Sequence, residues 1–264
     1  MSVAEETLPR VESWQPLQLR LIAFPQEIRT DFGVEWWHDL TGGAECESTR
    51  KPLERTDTGI FEGHRLTLNL DGLKAIWSVD PIFNPEPSNF ELPQMPTLGQ
   101  FTAAQDWFVE LMAKWLSNGC PTLKRLALCS RSVQWTSTRD DSYRLLGRYL
   151  PRVYVDPNGA DFLYRINRPT PSHSRIENLS INRLCSWMAA KFEIQLEARA
   201  AGHPTLIAQK TLPQTQFGCV FDSDINTAAE FQGQLSKAHL PALIREMAEM
   251  NAFIAGSGET KPWQ

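Results

Sequence analysis

Between Leu17 and Phe24 the apolar positions Leu19, Leu21 and Ala23 alternate with Gln18, Arg20 and Ile22, and Pro25 follows. A period of two predicts a strand over 17–24, closed by the proline. Asp31 is placed to cap a short helix over 32–40, which Gly42-Gly43 ends. Strands are predicted next over 55–62, 65–70 and 74–79. Asp71-Gly72 between the last two is a hairpin signal, because both residues tolerate positive φ. Pro81, Pro85, Pro87, Pro93 and Pro96 then make an extended connector. Phe101, Ala104, Phe108, Leu111 and Trp115 recur at three- and four-residue spacing and predict a helix over 101–118, with Gly119 as its stop.

The pattern then restarts. A strand is predicted over 123–129, running on toward Trp135, and Asp140-Asp141 can cap a helix over 142–150 that Pro151 stops. Further strands are expected over 161–166, 179–196, 205–212 and 217–221. Within 179–196, Cys185–Phe192 also reads as helix. Helical sequence opens near Thr227 and continues to Ala255, with Pro241 either dividing it or starting its second piece.

Trp77–Asn84 and Cys219–Asn226 echo each other, each ending an apolar strand and leading to a long helix. The expected fold is therefore α+β, in two similar halves over 1–120 and 121–264, as two domains or one fused domain. Each half would be a curved antiparallel sheet backed by a long helix. The order of elements is similar to the TATA-binding-protein-like and helix-grip folds, an analogy that carries no function with it.

The chain's 264 residues allow one large or two small domains, and nine Trp allow a sizeable core or an aromatic interface. No apolar run reaches the roughly 18–20 residues of a membrane span. The stretch 1–12 is polar and acidic and lacks an export pattern, so a cytoplasmic location is expected. Five scattered cysteines show neither metal-ligand spacing nor a disulfide framework. The net charge of -5 is unevenly spread: residues 1–120 hold nine Lys/Arg against eighteen Asp/Glu, and residues 121–200 hold thirteen against seven. Eleven of those thirteen are Arg, whose planar fork suits carboxylate and phosphate. An acidic first half docking on a basic second half is the plainer reading.

The strongest candidate site is the basic run Arg139, Arg144, Arg148 and Arg152 with Tyr143 and Tyr149. On a helix Arg144, Arg148 and Arg152 would share one face, and Arg125, Arg131, Arg165 and Arg168 would join it if their strands lie adjacent. Arginines with aromatics suit phosphates and stacked bases, or an acidic protein. Asp222-Ser223-Asp224 puts two carboxylates on one side of a strand end, enough for Mg²⁺ or acid–base work only with a further ligand. A polar strand exit with Asp224 capping the next helix is the favoured alternative. His38-Asp39 sits at a helix end, and His64, His173, His203 and His239 are isolated. No Gly-rich phosphate loop or nucleophile elbow is present, since Gly256-Ser257-Gly258 follows a helix instead of opening one.

The chain resembles an uncharacterised, sporadically distributed bacterial family of similar length. The matching pieces are the strand Leu19–Phe24, the central helix and Arg-rich strand from Phe101 to Arg131, and Val220-Phe221-Asp222 leading to the helix that ends at Ile254. The resemblance implies an accessory role such as genome defence and supplies no site residues. The expected function is non-catalytic binding of a protein partner, without cofactor or metal. Nucleic-acid binding through 121–200 and an apolar ligand held between sheet and helix are the alternatives. An enzyme whose groups converge only in space is the remaining one.

Overall fold

The computed structural model describes residues 8–27, 35–83, 95–194 and 214–261. In chain order the elements are β1 (Gln15–Pro25), α1 (Trp36–Thr41), β2 (Glu47–Lys51), β3 (Glu54–Phe61), β4 (His64–Asp71), β5 (Ala75–Asp80) and α2 (Phe101–Asn118). There follow β6 (Leu123–Thr136), α3 (Arg139–Tyr149), β7 (Leu163–Asn167), β8 (Thr170–Pro171), β9 (Ser180–Ile194), β10 (Gln214–Thr227) and α4 (Leu240–Ser257). The protein is mixed α+β, with one large antiparallel sheet ordered β2-β3-β4-β5-β1-β6-β10-β9-β7 and β8 paired beside β9.

The strands obey the period of two. In β4 and β5, Leu66, Leu68, Leu70, Ala75, Trp77 and Val79 are buried, and the residues between them are not. The alternating buried residues of β1, β4, β5 and β9 turn toward the helices, while the central β6 and β10 also bury Ala127, Cys129, Val133 and Val220 on their other side. Trp14, Phe221, Tyr149 and Trp187 pack at ring separations of 5.2–5.6 Å. Trp77 and Trp115 meet at 5.9 Å farther along the same side. Residues of 1–120 and 121–264 thus share one apolar cluster. At its centre lies a buried polar chain. Asn251 of α4 donates to Gln105 of α2 at 2.8 Å and to Ser130 of β6 at 3.1 Å, and Ser130 bonds Ser223 of β10 at 2.7 Å. These bonds satisfy side chains that burial would otherwise penalise, and they fix both long helices over β6 and β10.

The expected helix over 101–118 is present, and the strands over 17–24, 55–62, 65–70 and 74–79 are present to within two residues. Gly42, at φ 69°, closes α1 in the left-handed conformation that glycine adopts without cost. Of the strand expected over 179–196, Ser180–Ile194 is present as β9, residues 195–196 lie outside the described residues, and the alternative helix over Cys185–Phe192 does not form. Cys185 and Trp187 alternate with half-buried Leu184, Ser186 and Met188, and each pairs into β10. The long helix expected from Thr227 is shorter. Residues 228–239 form turns, including a bridge of Leu235 to Leu123, and Pro241 sits in the first turn of α4. β10 extends instead through Thr227. The cap of α3 is Thr138, whose Oγ1 accepts from the Asp141 N–H, not the aspartates themselves. β2 was not expected: its sequence Glu-Ser-Thr-Arg-Lys is polar and wholly exposed, so no apolar period marks it. The Asp31 cap, the start of the first helix, most of the proline connector and the strand over 205–212 lie outside the described residues. Among the described residues no helix is long and apolar enough to cross a membrane.

Candidate binding face

All described helices that contact the sheet lie on one side of it. The other side is covered by no described helix; many of its side chains are half-buried or exposed, with Ala127, Cys129, Val133 and Val220 buried among them, and its make-up follows from strand register. Arg20 of β1 stands opposite Cys129 of β6, Gln18 opposite Arg131, and Arg131 opposite Asp222 of β10. Asp222 continues across Ser186 of β9 to Arg165 of the edge strand β7. One row across four strands therefore reads Arg131, Asp222, Ser186, Arg165, and the next row carries Arg20, Cys129, Asp224 and Leu184.

Arg131 grips Asp222 with two bonds, Nε to Oδ1 and Nη2 to Oδ2, each 2.8 Å. This fork raises the Arg131 pKa further above its ordinary value, hydrogen bonding to Asp222 outweighing desolvation. Asp224 accepts from Asn226 Nδ2 at 2.9 Å. Arg20 and Arg165 make no ion pair among the described residues. Cys129, in the floor beside Asp224 and Arg20, has its thiol pushed up to about 12, mainly by burial, so it is inert as a nucleophile. These groups surround a cleft of about 450 Å³, with Leu163, Leu184 and Met188 as its apolar wall. Two engaged carboxylates, two uncommitted guanidiniums and an apolar wall can hold a polar or anionic partner by hydrogen bonds and charge. Among the described residues no three His, Cys, Asp or Glu side chains gather as a metal site requires.

The expected arginine face on α3 does not form. The helix ends at Tyr149, so Arg152 lies beyond it in the turn 151–153 and cannot continue the row of Arg144 and Arg148. Tyr149 is fully buried, accepting from Gln134 Nε2 at 2.7 Å, and burial pushes its hydroxyl up to about 12. Tyr143 is buried as well. Arg139 lies over its ring at 4.4 Å and donates to Pro157 O at 2.6 Å, tying down the loop after α3. Arg139, Tyr143 and Tyr149 are structural here. Arg144 pairs with Asp141 at 2.6 Å on the outer surface, and Arg148 is half-buried.

The strand arginines do not join α3, which packs on the opposite side of the sheet. Arg131 and Arg165 belong to the open face, Arg125 lies over Phe24 at 5.3 Å, and Arg168 bonds Glu259 at 2.8 Å. Asp224 caps no helix, since β10 runs three residues past it and α4 starts at Leu240. Sequence reasoning overlooked Arg20. The available signal was its place between Leu19 and Leu21, which in a strand puts it on the face away from the core. No protein-family model matches the chain, and no curated protein matches it.

Proposed function

We propose that this protein is a non-catalytic binding protein whose recognition surface is the open face of the sheet. One observation carries the reading. The face that no described helix covers holds Arg20 and Arg165, which make no ion pair among the described residues, on either side of the Arg131–Asp222 pair, around one cleft. An arginine on a strand has its stem braced by cross-strand neighbours, so its head is presented with less entropy to lose on binding.

Two similar halves are the architecture that best accounts for this face. Each half would start with a strand at the centre, β1 or β6, and return its last strand, β5 or β10, to lie beside it. The sequence echo aligns Asp80 with Asp222, and their contacts correspond. Gln18 of β1 donates to Asp80 at 2.7 Å, as Arg131 of β6 does to Asp222 at 2.8 Å. On the other side of the same strands, Val79 and Phe221 are both buried. On this reading the order of elements would be like that of the TATA-binding-protein-like and helix-grip folds, with the cleft beside the central Gln18–Arg131 pair.

Affinity capture with three baits tests the reading: the unaltered chain, Arg131→Glu/Arg165→Glu, and Arg144→Glu/Arg152→Glu. Polypeptide or nucleic acid retained by the first and third and lost from the second is the expected result. Loss confined to the third bait would move recognition to the α3 side and end the proposal.

A further inference from the structure

We infer that the open face binds single-stranded nucleic acid along the seam where β1 meets β6, an inference that rests on the open-face reading above. β6 turns Arg125, Ala127, Cys129 and Arg131 to this face, directly opposite Phe24, Ile22, Arg20 and Gln18 of β1. Ala127 and Cys129 are small and 4% exposed each, so they form a floor between the arginines. Six residues of extended chain separate Arg125 from Arg131, about 20 Å. Three guanidiniums therefore stand along one shallow track, Arg125 and Arg131 at its ends and Arg20 between them.

Each end of the track opens into a cleft. At one end Arg125 lies over the Phe24 ring, beside a cleft of about 460 Å³ that Leu73 and Phe231 also line. At the other, Arg131 borders the cleft that contains Arg165. Beyond Arg131 on β6, Val133 is fully buried and closes the track.

A chain of regularly spaced anions with flat apolar groups between them matches this layout. Guanidiniums fork onto phosphates, and Phe24 with its stacked Arg125 offers a surface for a base. An unpaired strand fits better than a duplex. The face is a continuous sheet, and no described element projects from it to enter a groove, whereas stacking needs bases that are already splayed. Four arginines face three aspartates here, and each aspartate is already engaged: Asp222 by Arg131, Asp80 by Gln18, and Asp224 by Asn226. The net charge of -5 disfavours adsorption elsewhere on the molecule, so binding is confined to the track.

The test is fluorescence anisotropy with a labelled oligothymidylate, its ribo-counterpart and a duplex, using the full chain across a salt series. Three to four phosphate contacts predict a log–log slope of about -2 to -3, a loss of roughly 20- to 50-fold between about 50 and 200 mM salt. Arg20→Gln should lower the slope by about 0.7. Phe24→Ala should weaken binding about 5-fold or more. Arg144→Gln should change neither, and circular dichroism confirms that each variant is folded.

No oligonucleotide binding at low salt, or binding that Arg20→Gln and Phe24→Ala leave unmoved, overturns the inference. Equal affinity for the duplex overturns its single-strand part. If oligonucleotides fail while Arg131→Glu/Arg165→Glu still abolishes capture of a polypeptide, the nucleic-acid inference falls and the open-face reading stands. If binding occurs but only Arg144→Gln weakens it, both fall.

Discussion

Phe221 and Asp222 are adjacent in β10 and belong to different environments. Phe221 is fully buried between Trp14 and Trp187, while Asp222 faces outward and is held by Arg131. The same division runs through the sheet. On the helix side positions are filled by volume, with Trp, Phe and Leu interdigitating around buried polar pairs such as the chain through Asn251 and the Gln134–Tyr149 bond. On the open side neighbours satisfy one another in pairs: Thr58 with Thr67, Asn69 with Thr56, Gln18 with Asp80. At the β1–β6 seam Gln18 and Arg131 are still paired, with Asp80 and Asp222, but the neighbouring Arg20 stands without an ion pair among the described residues. The contrast separates a face specified by packing from one whose chemistry is left partly unspent, and the second is where a partner gains most by binding.

The largest effect should come from comparing the two sides directly. Phe221→Ala removes a ring wedged between two tryptophans and should cost about 3–5 kcal/mol in urea unfolding. Thr67→Ala, on the open face of β4, should cost about 1 kcal/mol or less. Equal costs would mean that the open face is covered and structural, and the distinction between the faces would break.

Alkaline pH should have the next largest effect. Burial pushes the thiols of Cys120 and Cys129 up to about 12, and those of Cys185 and Cys219 higher still. A raised folded-state pKa means that the unfolded chain releases its protons first. The stability these groups contribute is whole below the unfolded thiol value near 8.5–9. It declines as pH climbs from there toward 12, by about 1–2 kcal/mol per thiol at pH 10. A thiol reagent should accordingly find Cys46, the exposed one, far ahead of the other four. Rapid reaction of Cys129 would show that the floor of the seam opens.

Apolar periodicity made the helix side legible in advance. Phe101 to Trp115 marked α2 to the residue, and Leu19, Leu21 and Ala23 marked the inward face of β1. The open side was legible only in part, for three physical reasons. β2 carries no apolar period because neither of its faces is buried. Arg139, Tyr143 and Tyr149 have the composition of a binding surface, but the tyrosines fill the core and the arginine ties a loop. The row Arg131, Asp222, Ser186, Arg165 joins residues far apart in the chain, so it exists only once register is known. Alternation said which way Arg131 and Asp222 pointed, and pairing alone said that they pointed at each other.

The smallest stability effect should come from the residue with the largest effect on binding. Arg131 has 59% of its side chain exposed and Asp222 24%, so solvent and salt screen their attraction despite the forked geometry. Arg131→Ala should therefore cost at most about 1 kcal/mol in unfolding, and added salt should shrink even that. Removing the guanidinium also releases Asp222 as an unpaired carboxylate in the cleft, so an anionic partner loses one contact and meets one new repulsion. Oligonucleotide affinity should then fall more for Arg131→Ala than for Arg131→Ala/Asp222→Ala, with both variants melting close to the unaltered chain. A loss of several kcal/mol in unfolding would instead make the pair a strut of the sheet and return Arg131 to the structural side of the comparison.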